Sequence, residues 1–287
     1  MSEPFAIIVD GTAGVPRDLV SELGLHVLPL HVNFGRDSYT AGVDLTDAEF
    51  YARLKDGKSP PPTTSQPSIG EAREVFERVS LGAGGKVLVL TIATELSGTH
   101  SVCSSTAQQI VGSEFVVVDM RGLAGQIGLV ATACARARRD GKSFPEVVAL
   151  AKRLAGSVHL LGAIDTLEQL KRSGRATSMQ ALFGSLLSMK PILEVKEGKI
   201  EAIERVRTRE KATARLKELI ESRVSPGSRV HMSVFHTNDP ERARELGEWA
   251  QGRFRCVEFW VNEVGAVVAA HSGAGAVVAC FRGADSA

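Results

Sequence analysis

Apolar runs of strand length alternate along this chain with amphipathic stretches of helical period, and that alternation limits the architecture more than any single motif. Ala6 to Val9, Val27 to Asn33, Lys86 to Ile92 and Phe115 to Val118 read as strands among helical patterns. Helix starts are marked at Thr46-Asp47-Ala48-Glu49 and Ser68-Ile69-Gly70-Glu71. Both fit the capping box, in which Ser or Thr and a Glu three residues on satisfy each other's backbone donors. The pattern predicts an α/β fold whose first unit holds a largely parallel sheet.

After a helix over Phe144 to Leu154, a strand over His159 to Ile164 opens a second unit. It continues with a hairpin around Lys196-Glu197-Gly198-Lys199, a helix over Arg209 to Glu221 and a strand over Val230 to His236. A helix opened by Asp239-Pro240 and a strand over Cys256 to Val261 follow. At 287 residues the chain has room for two domains, and the pattern divides it into α/β units 1–158 and 159–287. The proline-rich segment Pro60 to Pro67 reads as a stiff irregular loop presenting Thr64 and Ser65.

Charge and composition remove several function classes. With 34 Lys plus Arg against 33 Asp plus Glu, the net charge of +1 supplies no field for nucleic acid or an anionic membrane. The N-terminus shows no basic region before an apolar core, so the cytoplasm is the expected compartment, with at most transient membrane contact. The late apolar stretch from Gly265 to Phe281 is too short and too broken to span a bilayer. Four cysteines without metal-ligand spacing read as buried free thiols, and no cofactor is expected.

The chemistry gathers where strands end. Leu96-Ser97-Gly98-Thr99 follows the run Val87 to Ile92, placing a small hydroxyl residue where free helix N–H groups accept an anion; Ser97 can equally be an N-cap. Asp10-Gly11-Thr12 and Asp119 also follow strands, and both aspartates can equally be turn residues. Gly82 to Val87 and Gly122 to Gly128 miss the spacings of nucleotide-binding loops, and the latter reads as a glycine-assisted start of a helix. A serine hydrolase or acyltransferase would use Ser97 with His271 or His100 as base, but the glycines of a nucleophile elbow are missing around Ser97. Arg175 and Arg207 are candidate anion or partner contacts, and His271 sits among small apolar residues as an interior histidine would.

Taken in order, these segments resemble the DegV family of bacterial fatty-acid-binding proteins. The resemblance runs through Ile8-Val9-Asp10-Gly11-Thr12, Pro29-Leu30-His31-Val32-Asn33-Phe34-Gly35, Thr63-Thr64-Ser65-Gln66-Pro67-Ser68 and Leu96-Ser97-Gly98-Thr99. In the later half it includes Gly174-Arg175, Gly184-Ser185-Leu186-Leu187-Ser188-Met189-Lys190-Pro191-Ile192, Val206-Arg207-Thr208 and His271-Ser272-Gly273-Ala274-Gly275. It implies two α/β domains with one long-chain fatty acid in a tunnel between them. It also implies a carboxylate held by Thr64 and Ser97 with His271 close by, and Thr12, Asn33, Arg175 and Arg207 as supporting or partner contacts. Such proteins are similar to the lipid-carrying subunit of a fatty-acid kinase, which presents the carboxylate to a separate ATP-binding kinase subunit and is not itself an enzyme. Gly11, Ala93 and Ser173 stand where the family pattern has Ser, Ser and Gly. The alternative is a serine-dependent acyl hydrolase or transferase using Ser97 and His271.

Overall fold

A computed structural model describes residues 4–176 and 189–284, so Gly184 to Ser188 of the motif above lie outside the described residues. The first half contains β1 (Ala6–Asp10), α1 (Arg17–Glu22), β2 (Leu25–Leu28), β3 (His31–Phe34), β4 (Asp37–Thr40), α2 (Asp47–Asp56), β5 (Pro62–Ser65), α3 (Ile69–Gly82), β6 (Lys86–Thr91), α4 (Thr99–Ala107), β7 (Glu114–Asp119), α5 (Gly125–Arg139) and α6 (Phe144–Leu154). Then follow β8 (His159–Ala163), α7 (Glu168–Ser173), β9 (Lys190–Lys196), β10 (Lys199–Val206), α8 (Arg209–Arg223), β11 (Arg229–His236), α9 (Pro240–Arg253), β12 (Arg255–Glu263), α10 (Ala266–Ser272) and β13 (Val277–Gly283).

Strands β2-β1-β6-β7 form a parallel sheet in that order, with Ile7 paired to Leu25 on one side and Leu88 on the other. β1 is buried throughout, as a parallel strand covered on both faces must be. A six-stranded sheet, ordered β10-β9-β8-β13-β11-β12, is antiparallel except where α9 returns the chain to pair β12 parallel to β11. Its β9–β10 hairpin turns through Glu197 and Gly198, at φ values of +52° and +74°. Two left-handed residues in succession match the twist of the flanking strands.

Helix α5 lies between the two sheets, packing on β1 and β6 and also on β8, β11 and β13. One core cluster, including Ile7, Leu90, Ile127, Val130, Phe235 and Cys280, therefore runs through both sheets. Close approach depends on absent side chains: a Cβ on Gly125 would lie 2.6 Å from the Phe235 ring and 2.7 Å from Cys280 Cβ, and one on Gly128 would lie 2.7 Å from the Ala13 carbonyl. The Gly122 to Gly128 segment, read as starting a helix, thus also lets that helix dock on both sides. Outer layers complete the stack, α3 and α4 covering the parallel sheet and α8 and α9 the larger one.

Two expectations are corrected. Val27 to Asn33 is not one strand: the chain leaves the parallel sheet after Leu28, and Pro29, which has no N–H to donate to a ladder, separates β2 from β3. The stiff loop at Pro60 to Pro67 is a strand over its centre, β5, which pairs antiparallel with β3 in a small sheet ordered β4-β3-β5. The extended backbone that prolines impose is already that of a strand, and Pro62 occupies its first residue. This small sheet packs with α2 and α10 around Val32, Phe50 and Ala270. Both expected capping boxes form, with the Glu49 carboxylate accepting from the Thr46 N–H and that of Glu71 from the Ser68 N–H.

The stretch from Gly265 to Phe281 divides into the seven-residue helix α10 and strand β13. No helix among the described residues is long and apolar enough to cross a membrane. Cys103, Cys134 and Cys280 are buried free thiols pushed up to about 12 by burial, whereas Cys256 is half-buried.

Candidate functional site

Four segments distant in sequence meet around a cavity of about 290 Å³. β5 contributes Thr64, the turn after β6 contributes Ser97 and Gly98, the end of α7 leads to Arg175, and the last turn of α10 carries His271. Thr12 also lines it, together with the apolar side chains of Leu30, Leu96, Leu123 and Ile200. Thr64 Oγ1 and His271 Nε2 are 2.9 Å apart across 207 residues of sequence, so the β5 strand and α10 are joined at the cavity wall.

Ser97 stands one residue ahead of the position expected for a cap. Gly98 is the N-cap of α4, and Ser97 Oγ accepts from the Thr99 N–H at 3.3 Å while lying 2.9 Å from Thr99 Oγ1. The chain already turns helical at Gly98, with φ −75° and ψ 3°, which moves the cap on by one residue. The amide end of the Gln66 side chain lies against Gly98, in the space that a Cβ there would occupy, so the Leu96-Ser97-Gly98-Thr99 turn and the Thr64-Ser65-Gln66-Pro67 segment pack directly on one another.

The polar end of the cavity offers donors. Among the described residues no acidic side chain lines it, whereas the hydroxyl residues Thr12, Thr64, Ser65 and Ser97, the N-terminal end of α4 and Arg175 do. Arg175 Nε donates to the Leu96 carbonyl at 3.3 Å, tying the residue after α7 to the Ser97 turn. Burial, and secondarily the positive charge of Arg175, hold His271 down to about 4, so it is neutral at neutral pH. His271 Nδ1 is buried with no hydrogen-bond partner among the described residues.

The remaining sequence candidates separate. Thr12 is 2% exposed, and its hydroxyl donates to Asp10 Oδ1 at 2.5 Å. Asp10 Oδ2 accepts from the Ile92 N–H, so Asp10 staples the ends of β1 and β6; burial raises its carboxyl above the ordinary range. Asp119 does similar turn work, accepting from the Arg121 N–H and the Thr94 hydroxyl. Asn33 donates to Ser65 Oγ at 3.4 Å, beside Thr64 but not on the cavity wall, and Arg207 is exposed after β10 and does not line the cavity.

The serine-nucleophile arrangement is not met by this geometry. His271 Nε2 is engaged by Thr64, His100 Nδ1 lies 3.0 Å from the Thr91 hydroxyl, and Ser97 Oγ is engaged by Thr99.

Beyond His271 the cavity adjoins a narrower chamber of about 80 Å³, and both are lined by Leu123, Ile200, Val268 and His271. The chamber runs along the larger sheet past Leu160, Leu193, Phe235 and Val278, and its walls are almost wholly apolar. These wall residues were not singled out from the sequence. Their spacing is that of any strand facing a core, and no local signal separates a cavity wall from a packed one.

Fold and site together define a class: an α/β protein whose two main sheets enclose a donor-lined cavity continuing into an apolar chamber. The chain belongs to the DegV family, whose model, described as an uncharacterised protein of that family, matches residues 4–282. It is 34% identical over 276 residues to a DegV domain-containing protein of Streptomyces coelicolor, covering 96% of this chain and 97% of that one. A solved DegV family protein from Thermus thermophilus, described by its fatty-acid binding, is 31% identical over 98% of this chain and 99% of its own, with a TM-score of 0.89. DegV of Bacillus subtilis, described as a fatty acid binding protein, superimposes with the same TM-score at 29% identity, covering 98% of this chain and 99% of that one.

Proposed function

We propose that this protein binds one long-chain fatty acid, with its carboxylate at Thr64 and Ser97 and its chain running through the cavity into the apolar chamber, and presents that carboxylate to a separate ATP-dependent kinase subunit. The observation that carries the reading is the junction of the two cavities at His271: donors without acids on one side, apolar walls on the other. Similar solved DegV proteins described as fatty-acid binding support it.

The energetics divide between the two ends. Each buried methylene contributes about 0.8 kcal/mol, so the acyl chain dominates affinity. A neutral hydrogen bond contributes only about 1 kcal/mol, but a carboxylate buried without donors would cost several times that. Neutral His271 serves here by orientation. A buried, unpartnered Nδ1 is tolerated best as a bare acceptor, which leaves the ring proton on Nε2 for Thr64 Oγ1. The single hydroxyl proton of Thr64 is then free to point at the carboxylate. Arg175, at the cavity rim, and Arg207, exposed beyond it, are the contacts assigned to the kinase subunit, with Thr12 and Asn33 supporting the carboxylate end.

The test is acyl-phosphate formation by the kinase subunit with Ser97→Ala as carrier. Acyl-phosphate yield is expected to fall further than fatty-acid affinity, because Ser97 positions the head while the chamber holds the tail. Equal losses of both would contradict the positioning role. A stable acyl adduct on Ser97 after incubation with an activated ester would instead establish the acyltransferase alternative.

A further inference from the structure

A separate pocket of about 320 Å³ opens at the opposite end of the larger sheet, where β8 and β11 begin and β13 ends. Its polar walls include His159, Arg223, Arg229 and Arg282 with Ser157, Ser225 and Ser228, and among the described residues no carboxylate lines it. One acidic neighbour stands behind the wall: Glu194 accepts from Arg223 at 2.9 Å.

Arg282 is the unusual member. It is 7% exposed, its Nη1 donates to the Gly283 carbonyl at 3.2 Å, and its Nε is buried with no partner among the described residues. A guanidinium buried with a donor unpaired is a cost to folding, which an apolar side chain of similar volume would avoid. The surroundings add positive charge, because Arg153 of α6 and Arg223 of α8 both act on the groups in this pocket. His159 is held below its ordinary value by burial and by Arg223, so it is neutral at neutral pH and able to donate one hydrogen bond.

We propose that this pocket binds the phosphate group of a small soluble molecule. Planar guanidinium forks match phosphate oxygens in pairs, and serine hydroxyls add short-reach donors. A carboxylate, with two oxygens, is satisfied by one guanidinium; several guanidinium and hydroxyl groups around one pocket suit the three terminal oxygens of a phosphate. The volume falls at the lower end of the range for small-molecule sites. The pocket shares no lining residue with the fatty-acid cavity, so it stands independently of that reading. Val278 in the apolar chamber and Arg282 here share one face of β13, four residues apart, or roughly 13 Å.

Titration calorimetry of the full chain with inorganic phosphate tests the proposal, beside sodium chloride at matched ionic strength. Saturable binding of phosphate is expected, weakened about tenfold or more in Arg223→Gln and in Arg282→Met. Arg282→Met is also expected to unfold no earlier than the parent in phosphate-free buffer, since it removes a buried unpaired donor. If Arg282→Met does not fold, Arg223→Gln decides alone. Absence of saturable binding, an equal response to chloride, or unchanged phosphate affinity in Arg223→Gln would overturn the site.

Discussion

Thr64 and His271 illustrate how much one hydrogen bond across distant sequence can organise. The 2.9 Å contact holds a strand of the small sheet against α10 and assigns direction to a hydroxyl proton at the cavity wall. Thr64→Val, close to isosteric, removes that proton and leaves His271 Nε2 unpaired. Fatty-acid affinity is expected to fall by about 1–3 kcal/mol, roughly five- to 150-fold, in a titration of delipidated protein. A second expectation concerns pH. His271 sits near 4 in the folded chain against 6.5 unperturbed, so between those values the unfolded chain binds a proton that the folded chain refuses. Its stabilisation is complete above pH 6.5 and is lost as pH falls to about 4. His231, also lowered to about 4 by burial, shares that window. His271→Asn should therefore flatten, without abolishing, the fall of the thermal midpoint between those pH values; an unchanged slope would remove His271 from the account. At this scale the sequence was informative about Thr64, Ser97 and His271 through short motifs, and silent about the packing of the Gln66 side chain over Gly98, a contact that only the fold creates.

Elements of this fold are legible where local physics decides them and obscure where a partner does. Capping boxes at Thr46 and Ser68 rest on residues three apart and form as expected, and replacing Ser68 with Ala should cost about 1 kcal/mol in denaturant unfolding. β5 is the opposite case: Pro62 to Ser65 has no strand signature of its own and becomes a strand because β3 offers an edge to pair with. β13 and α10 were hidden in one Gly, Ala and Val-rich stretch whose division between helix and strand is set by the sheet that β13 enters between β8 and β11. Helix α5 carries a tightly packed position at Gly125. Gly125→Ala sets a Cβ against Phe235 and Cys280 and is expected to lower stability by about 1–3 kcal/mol, read as a shifted urea midpoint. A midpoint unchanged by that substitution would mean that the helix can withdraw from the larger sheet.

The whole molecule is a stack of layers with α5 shared between two sheets, and its proposed function follows from what that sharing leaves open. The parallel sheet delivers the Ser97 turn at the carboxyl end of β6, where crevices form in open α/β sheets. The larger sheet supplies the apolar chamber, and α10 with the small sheet closes the join with Thr64 and His271. The central claim is that this space belongs to a fatty acid. Denaturing mass spectrometry of an organic extract of the purified protein tests it most directly: close to one long-chain fatty acid per chain is expected, or uptake to that ratio when lipid is added. Protein that carries no fatty acid and takes up none would contradict the account.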